Sequence, residues 1–339
     1  MKHRFPAEQI SKEDFQMTLQ KEFSPPPGLR GPNIQSVLAS LHFRAYGAHQ
    51  VFENTVEKIL ETSRGVRLQG FYSRNPAGKG LVMLIHGWEG SAESTYVRTT
   101  ARFLFEQGYS VFRLNLRDHG DSHHLNRGLF FGTLFDEVFE AADQVGQMAE
   151  EGLFFIAGFS LGGNYALRIA RETAWRRVSA LRRVVAVSPA LNPARATEVV
   201  DRTLLYRHYF LKKWKRSLLR KQQLYPDLYD FSDVLSCNKI MGLTAALLRK
   251  YSPYKDPDQY FRGYTLVGDA LLPVNVSTTI ITSRDDPLIP VDDFYGLSLN
   301  PLTEVLIQPY GGHNGFIENY RLCAWYEKGL CELFSRHGN

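Results

Sequence analysis

From about residue 51 onward the chain carries a regular pattern of apolar and polar positions. Phe52 to Thr62 and Val66 to Ser73 alternate the two around Arg64-Gly65, which predicts a β-hairpin. Leu81-Val82-Met83-Leu84-Ile85 is apolar throughout, as a strand buried on both faces should be. Helical spacing follows over 94–107, then a strand over 110–116, then a helix carrying Leu134, Val138, Ala141, Val145 and Met148. A strand over 153–157, a helix from Leu161 and a strand over 184–187 continue the series. Strands and helices in strict alternation predict a mostly parallel sheet with helices on both faces.

The alternation stops at Pro189 and resumes with Thr278–Thr282 as a strand. A helix near 292–299, a strand over 304–307 and a last helix over 316–334 complete the pattern. Residues 191–275 read as helix and loop, rich in Tyr, Leu and basic side chains, without a buried strand. This is the pattern of one α/β domain, 51–190 and 276–339, interrupted by a helical cap over 191–275. Residues 1–50 form an N-terminal extension of weak periodicity, broken at Pro25-Pro26-Pro27-Gly28 and at Gly31-Pro32. At about 150 residues per domain, the 339 residues would suggest two sequential domains, and the pattern argues for one with an insertion instead.

Composition changes this picture little. Apolar residues make up 44 % and charged residues 22 %, which excludes a disordered or fibrous chain. The three cysteines, Cys237, Cys323 and Cys331, form no C-x-x-C pair, so neither a disulfide framework nor a cysteine-built zinc site is expected. No apolar run approaches the roughly 20 residues of a membrane-spanning helix. Met1 to Leu19 is polar and lacks the apolar core of a signal peptide, so a soluble cytoplasmic protein is expected.

Charge is more informative. The net charge is +5, yet 202–221 alone holds eight basic residues and no acid. Leu204, Leu211, Trp214 and Leu218 form an apolar stripe there, with Lys212, Lys213, Arg216 and Arg220 opposite. The segment reads as an amphipathic cap helix whose basic face is solvated or meets anionic lipid or an acidic substrate group. No nucleic-acid-binding motif accompanies the charge. A second cluster, Arg168, Arg171, Arg176, Arg177, Arg182 and Arg183, reads as the exposed end of a helix and its loop.

The candidate chemistry lies at strand ends. Gly158-Phe159-Ser160-Leu161-Gly162 is a G-x-S-x-G sequence between a buried strand and a helix. Such a strained turn exposes a serine hydroxyl, and side chains at the flanking glycines would clash with neighbouring elements. A base is expected at His313, on the glycine-rich loop after the last strand. Either Asp285 or Asp286, after the strand before it, would orient that imidazole. Backbone N–H groups of Trp88, in His86-Gly87-Trp88, and of Leu161 would form an oxyanion hole. His86 is expected to hold its loop rather than act as a base. His123-His124 lacks an accompanying carboxylate motif and reads as a solvated loop. Neither metal nor organic cofactor is implied.

These motifs together resemble the α/β-hydrolase superfamily over about residues 50–335, including its chain order of serine, acid, histidine. A closer resemblance is to the YheT-like branch, related to animal abhydrolase-domain lipases and esterases. Gly28-Leu29-Arg30-Gly31-Pro32-Asn33-Ile34-Gln35-Ser36 is similar to the branch's hlQT motif, with Asn33 and Ser36 where His and Thr are usual. His86 to Ser91 resembles its HGLEGS loop, Gly158 to Asn164 its GxSLGGN elbow, Arg284 to Pro287 its DDP loop, and Gly311 to Phe316 its GGHxGF loop. The loop Arg117-Asp118-His119-Gly120-Asp121-Ser122 departs from the branch and is closer to the general R-G-x-G-x-S turn. The resemblance implies that Asp286 is the acid, as does the acid-loop pattern Asp286-Pro287-Leu288-Ile289-Pro290. It implies hydrolysis of carboxylic esters, of short- to medium-chain or lipid-like acyl groups, by Ser160, His313 and Asp286. Thioesterases and acyltransferases use the same triad. A silent binding protein on this fold is disfavoured because every triad position is filled.

Overall fold

The computed structural model describes residues 22–45 and 52–336. The polar stretch 1–19 lies outside the described residues. A short helix, α1 (Pro32–Ala39), opens the described chain. Pro32 begins this helix instead of breaking the chain, because the N–H it lacks is one a first helical residue leaves unbonded anyway.

The hairpin forms as expected from β1 (Val56–Glu61) and β2 (Arg67–Ser73). Next come β3 (Leu81–Ile85), α2 (Thr95–Glu106), β4 (Ser110–Leu114), α3 (Phe135–Gln147), β5 (Phe154–Phe159), α4 (Leu161–Glu172) and β6 (Leu181–Val187). Five helices follow without a strand: α5 (Pro193–Arg202), α6 (Leu204–Leu224), α7 (Ser232–Leu235), α8 (Ile240–Tyr251) and α9 (Pro257–Arg262). The sheet resumes with β7 (Ser277–Ser283), α10 (Asp292–Tyr295), β8 (Thr303–Gln308) and α11 (Trp325–Ser335).

The eight strands form one sheet in the order β1-β2-β4-β3-β5-β6-β7-β8. β3 to β8 are parallel, and β2 joins β4 antiparallel. Alternation along the central strands divides the core into two layers. Met83, Ile85, Ile156 and Val184 face α3 and α4, while Val82, Leu84, Phe155 and Val185 face α2 and α11. The parallel strands therefore need apolar side chains on both faces, which is the continuous run seen at 81–85.

Two helices are shorter than their pattern suggests. α10 ends at Tyr295, before Gly296. The last helix starts at Trp325, not near Phe316. Phe316 and Leu322 adopt left-handed backbone, and the Gln35 side chain takes both the N–H and the carbonyl of Ile317, so 316–324 cannot coil into a helix.

Candidate active site

The chain end of β5 turns into α4 at Ser160, whose φ of 54° and ψ of −115° lie far from helix and strand values. The glycines around it are dictated by space. A Cβ on Gly158 would stand 2.1 Å from the Gly162 carbonyl oxygen, and one on Gly162 would stand 2.2 Å from that of Ile85. Leu161 is the first residue of α4, so its N–H is one of the donors a helix start leaves free of intrahelical bonds. Asn164, one turn on, donates to the carbonyls of Ala190 and Tyr264 and ties the elbow to the helical insertion.

The loop after β3 brings a second backbone segment to the serine. A Cβ on Gly87 would lie 3.2 Å from Ser160 Cβ, so only glycine allows Trp88 this approach. His86 is fully buried and its Nδ1–H donates to the Gly87 carbonyl at 2.7 Å. Its Nε2 accepts the Leu116 N–H at 3.2 Å, and desolvation holds its pKa well below the usual range. It is a neutral loop support, in line with the sequence reading.

The loops after β7 and β8 meet at His313. Its Nδ1 bonds Asp286 Oδ2 at 2.9 Å, and the Asp286 side chain is completely buried. The other oxygen, Oδ1, accepts the N–H groups of Leu288 and Ile289 at 2.8 and 3.0 Å, which fixes the carboxylate. Asp285 does different work: its Oδ1 accepts the Gly312 N–H at 2.9 Å and braces the histidine loop, and burial raises its pKa. The two aspartates are thus told apart by geometry.

The N-terminal segment grips the same loop, which the pattern of residues 1–50 did not reveal. Ser36 Oγ accepts the His313 N–H at 2.8 Å. Buried Gln35 donates to the carbonyls of Leu29 and Ile317 and accepts the Ile317 N–H. The Gln-Ser pair within the family-like N-terminal motif was the signal for these residues.

Ser160, Leu161, Trp88 and His313 all line one cavity of about 140 Å³, with Asp286 behind His313. Much of the lining is apolar, from α5, α8 and α9 with Leu288 and Ile289. The lining also includes the polar residues Glu89, Asp118, His119, Ser217 and Lys221 and the aromatic group Trp88, Phe210 and Trp214.

Three expectations about charge need correction. α6 does not simply show a basic face to solvent. Lys213, Ser217 and Lys221, at i, i+4 and i+8, all turn to the core, because polar acceptors of the β4–α3 loop and the β3 loop are waiting there. Lys213 Nζ donates to the Glu89 carbonyl at 2.8 Å, and Ser217 Oγ bonds His123 Nε2 at 2.8 Å. Lys221, 1 % exposed, donates to Asp118 at 2.7 Å and to the carbonyls of His123 and Asn126. His123 is accordingly buried under α6, not solvated. Arg168 is also buried, donating to the Gly132 carbonyl between the rings of Phe135 and Tyr165. Among the described residues, no group of His, Cys, Asp or Glu side chains is placed to hold a metal ion, and no helix is long and apolar enough to cross a membrane.

Comparison with known proteins agrees with this architecture. A family model described as serine aminopeptidase, S33 matches residues 76–239. The chain is 25 % identical over 271 residues to protein abhd-3.2 of Caenorhabditis elegans, covering 76 % of this chain and 69 % of that one. It is 21 % identical over 308 residues to phospholipase ABHD3 of Mus musculus, covering 83 % and 72 % respectively. The solved structure of the Pyrococcus furiosus esterase Pf2001 shares the fold, with a TM-score of 0.56 and 15 % identity over 86 % of this chain and 94 % of that one. Sheet order, elbow and the likeness to that esterase structure give the chain an α/β-hydrolase fold.

Proposed function

We propose that this protein is a serine hydrolase that cleaves carboxylic esters through an acyl-enzyme, with short- to medium-chain or lipid-like acyl groups as substrates. Ser160 Oγ attacks the ester carbonyl while His313 Nε2 takes its proton. Asp286 holds His313 in the required tautomer and stabilises the imidazolium. The N–H groups of Trp88 and Leu161 bind the oxyanion, and His313 returns the proton to the leaving alcohol. A water activated by His313 then releases the acid and restores Ser160.

The observation that carries the reading is the buried Asp286–His313 bond opening onto the same cavity as a serine in strained elbow geometry. The apolar lining of the cavity suits an acyl chain. The name of the Mus musculus relative, a phospholipase, favours lipid-like esters. Lys212 and Arg216, exposed on the outer side of α6, would bring the enzyme to anionic lipid surfaces.

Fluorophosphonate labelling tests the nucleophile. Wild-type protein should be labelled, Ser160→Ala should not, and turnover of p-nitrophenyl esters should fall about 10⁶-fold in that variant, as for other triad serines. Ser160→Ala activity near the wild-type value would overturn the assignment.

A further inference from the structure

The loop that carries His313 is strained backbone. Asn314 and Phe316 have φ of 58° and 48°, in the left-handed region that is costly for a residue with a side chain. Such a loop keeps one shape only where its surroundings fix it. Successive N–H groups of this loop are taken by side chains from three separate parts of the chain. Asp285, after β7, accepts that of Gly312, and Ser188, after β6, accepts that of Asn314 at 3.3 Å. Between them, Ser36 of α1 accepts the N–H of His313 itself at 2.8 Å.

Ser36 is committed to this acceptor role. Its hydroxyl donates its hydrogen to the Pro32 carbonyl at 2.7 Å, one turn earlier in α1, so toward His313 it can only accept. α1 lies directly on the loop: a Cβ on Gly312 would stand 2.4 Å from the Pro32 carbonyl oxygen, and one on Gly315 would stand 2.5 Å from that of Gln35. The helix is anchored in turn. Tyr206 of α6 donates to Asn33 at 2.8 Å, and buried Arg44 donates to the carbonyls of Ala39 and Leu322, each at 2.9 Å.

Only χ1 and χ2 separate the His313 backbone from its ring. Ser36 holds the backbone nitrogen and Asp286 holds Nδ1. With both ends of this short lever fixed, little freedom is left in where Nε2 points.

We infer that Ser36 is a positioning residue for the reaction: through the His313 N–H it aims Nε2 at the Ser160 hydroxyl, which makes α1 a working part of the site. The inference rests on the serine-hydrolase reading.

The test is steady-state hydrolysis of p-nitrophenyl butyrate, with the rate of fluorophosphonate labelling as a second measure of Ser160 reactivity. Ser36→Ala should lower kcat and the labelling rate about ten-fold or more and leave KM within about two-fold of wild type, because it misplaces a reacting group without touching the substrate pocket. Ser36→Thr keeps the hydroxyl and should restore most of both rates. Ala39→Gly, in the same helix, removes a buried methyl and weakens the helix, so it should melt lower yet keep the wild-type kcat. The inference is overturned if Ser36→Ala keeps its kcat, if Ser36→Thr is no faster than Ser36→Ala, or if Ala39→Gly loses as much kcat as Ser36→Ala. All three outcomes would leave the hydrolase reading intact. Failure of that reading looks different: wild type would hydrolyse no ester and take no fluorophosphonate.

Discussion

At the scale of single residues, several side chains are kept in states that water would not favour. His119 is held down to a pKa of about 4, chiefly by desolvation and further by Lys213, against the bond to the Arg117 carbonyl. His123 is held down to about 3, by burial and by Arg220, His119 and Lys221. Both are therefore neutral in the folded protein through mildly acidic pH. Their folded pKa values lie below the unfolded value of about 6.5, so their neutral burial costs nothing above that pH. Stability is lost as pH falls from 6.5 through 4, because the unfolded chain then binds protons that the fold refuses. One such histidine contributes about 3 kcal/mol across that interval. Urea unfolding midpoints should fall steadily between pH 6.5 and 4, and His119→Phe, which needs no proton, should flatten part of the slope. An identical slope in the variant would exclude His119 as a source. Glu89 works in the opposite direction, its stability contribution being complete below pH 4.5 and lost as pH rises through about 8. A reading of sequence alone does not reach these residues. His123 beside His124 looks solvated, and only the helix that covers it, about a hundred residues later, makes it otherwise.

At the scale of elements, the helix α6 is fastened by polar contacts and not only by its apolar stripe. The Lys221 ammonium has three donors and three acceptors, and the Asp118 carboxylate has Lys221 and the Phe130 N–H. Burial pulls the two groups toward neutrality, raising the aspartate and lowering the lysine, and their mutual attraction opposes it. A pair of this kind is costly to break from one side, because the remaining charge stays buried. Lys221→Met should cost about 3–5 kcal/mol in urea unfolding. Adding Asp118→Asn to it should recover most of that loss, whereas a double variant no better than the single would show that the pair does not act as a unit. The elements themselves were largely legible. The runs at 81–85 and 304–307, the hairpin and the elbow follow from period and turn chemistry, which depend only on near neighbours. The face that α6 buries was not, since Lys213 and Lys221 at helical spacing resemble a solvated stripe until their acceptors at Glu89 and Asp118 are in place. The late start of α11 was hidden for the same reason, because Gln35 lies some 280 residues from the backbone it captures.

At the scale of the whole molecule, the +5 charge is not one property. Of the basic residues on α6, Lys213, Lys215, Arg220 and Lys221 are spent on contacts within the protein. Lys212 and Arg216 remain exposed, in a row with Leu205 at 58 %, Tyr209 at 44 % and Leu219 at 43 % exposure. The start of this helix touches α1 through Tyr206 and Asn33, and α1 shows Ile34 and Val37 to solvent. Apolar side chains interleaved with cations, without an acid on α6, suit a surface of anionic lipid, where each basic residue contributes about 1 kcal/mol. Lys212→Glu with Arg216→Glu should therefore weaken binding to phosphatidylserine-containing vesicles by at least thirty-fold, about 2 kcal/mol, and leave binding to neutral vesicles little altered. Raising salt should erode the difference, because the charges are exposed and screened within about 10 Å at 0.1 M. Hydrolysis of vesicle-borne esters should follow binding, while turnover of a dissolved short-chain p-nitrophenyl ester should not. Lys213 is left out of the substitution because its ammonium holds the Glu89 carbonyl, so changing it would disturb the cavity as well as the surface. If the double reversal slowed the dissolved ester as much as the vesicle-borne one, the outer face of α6 would have no part in meeting lipid.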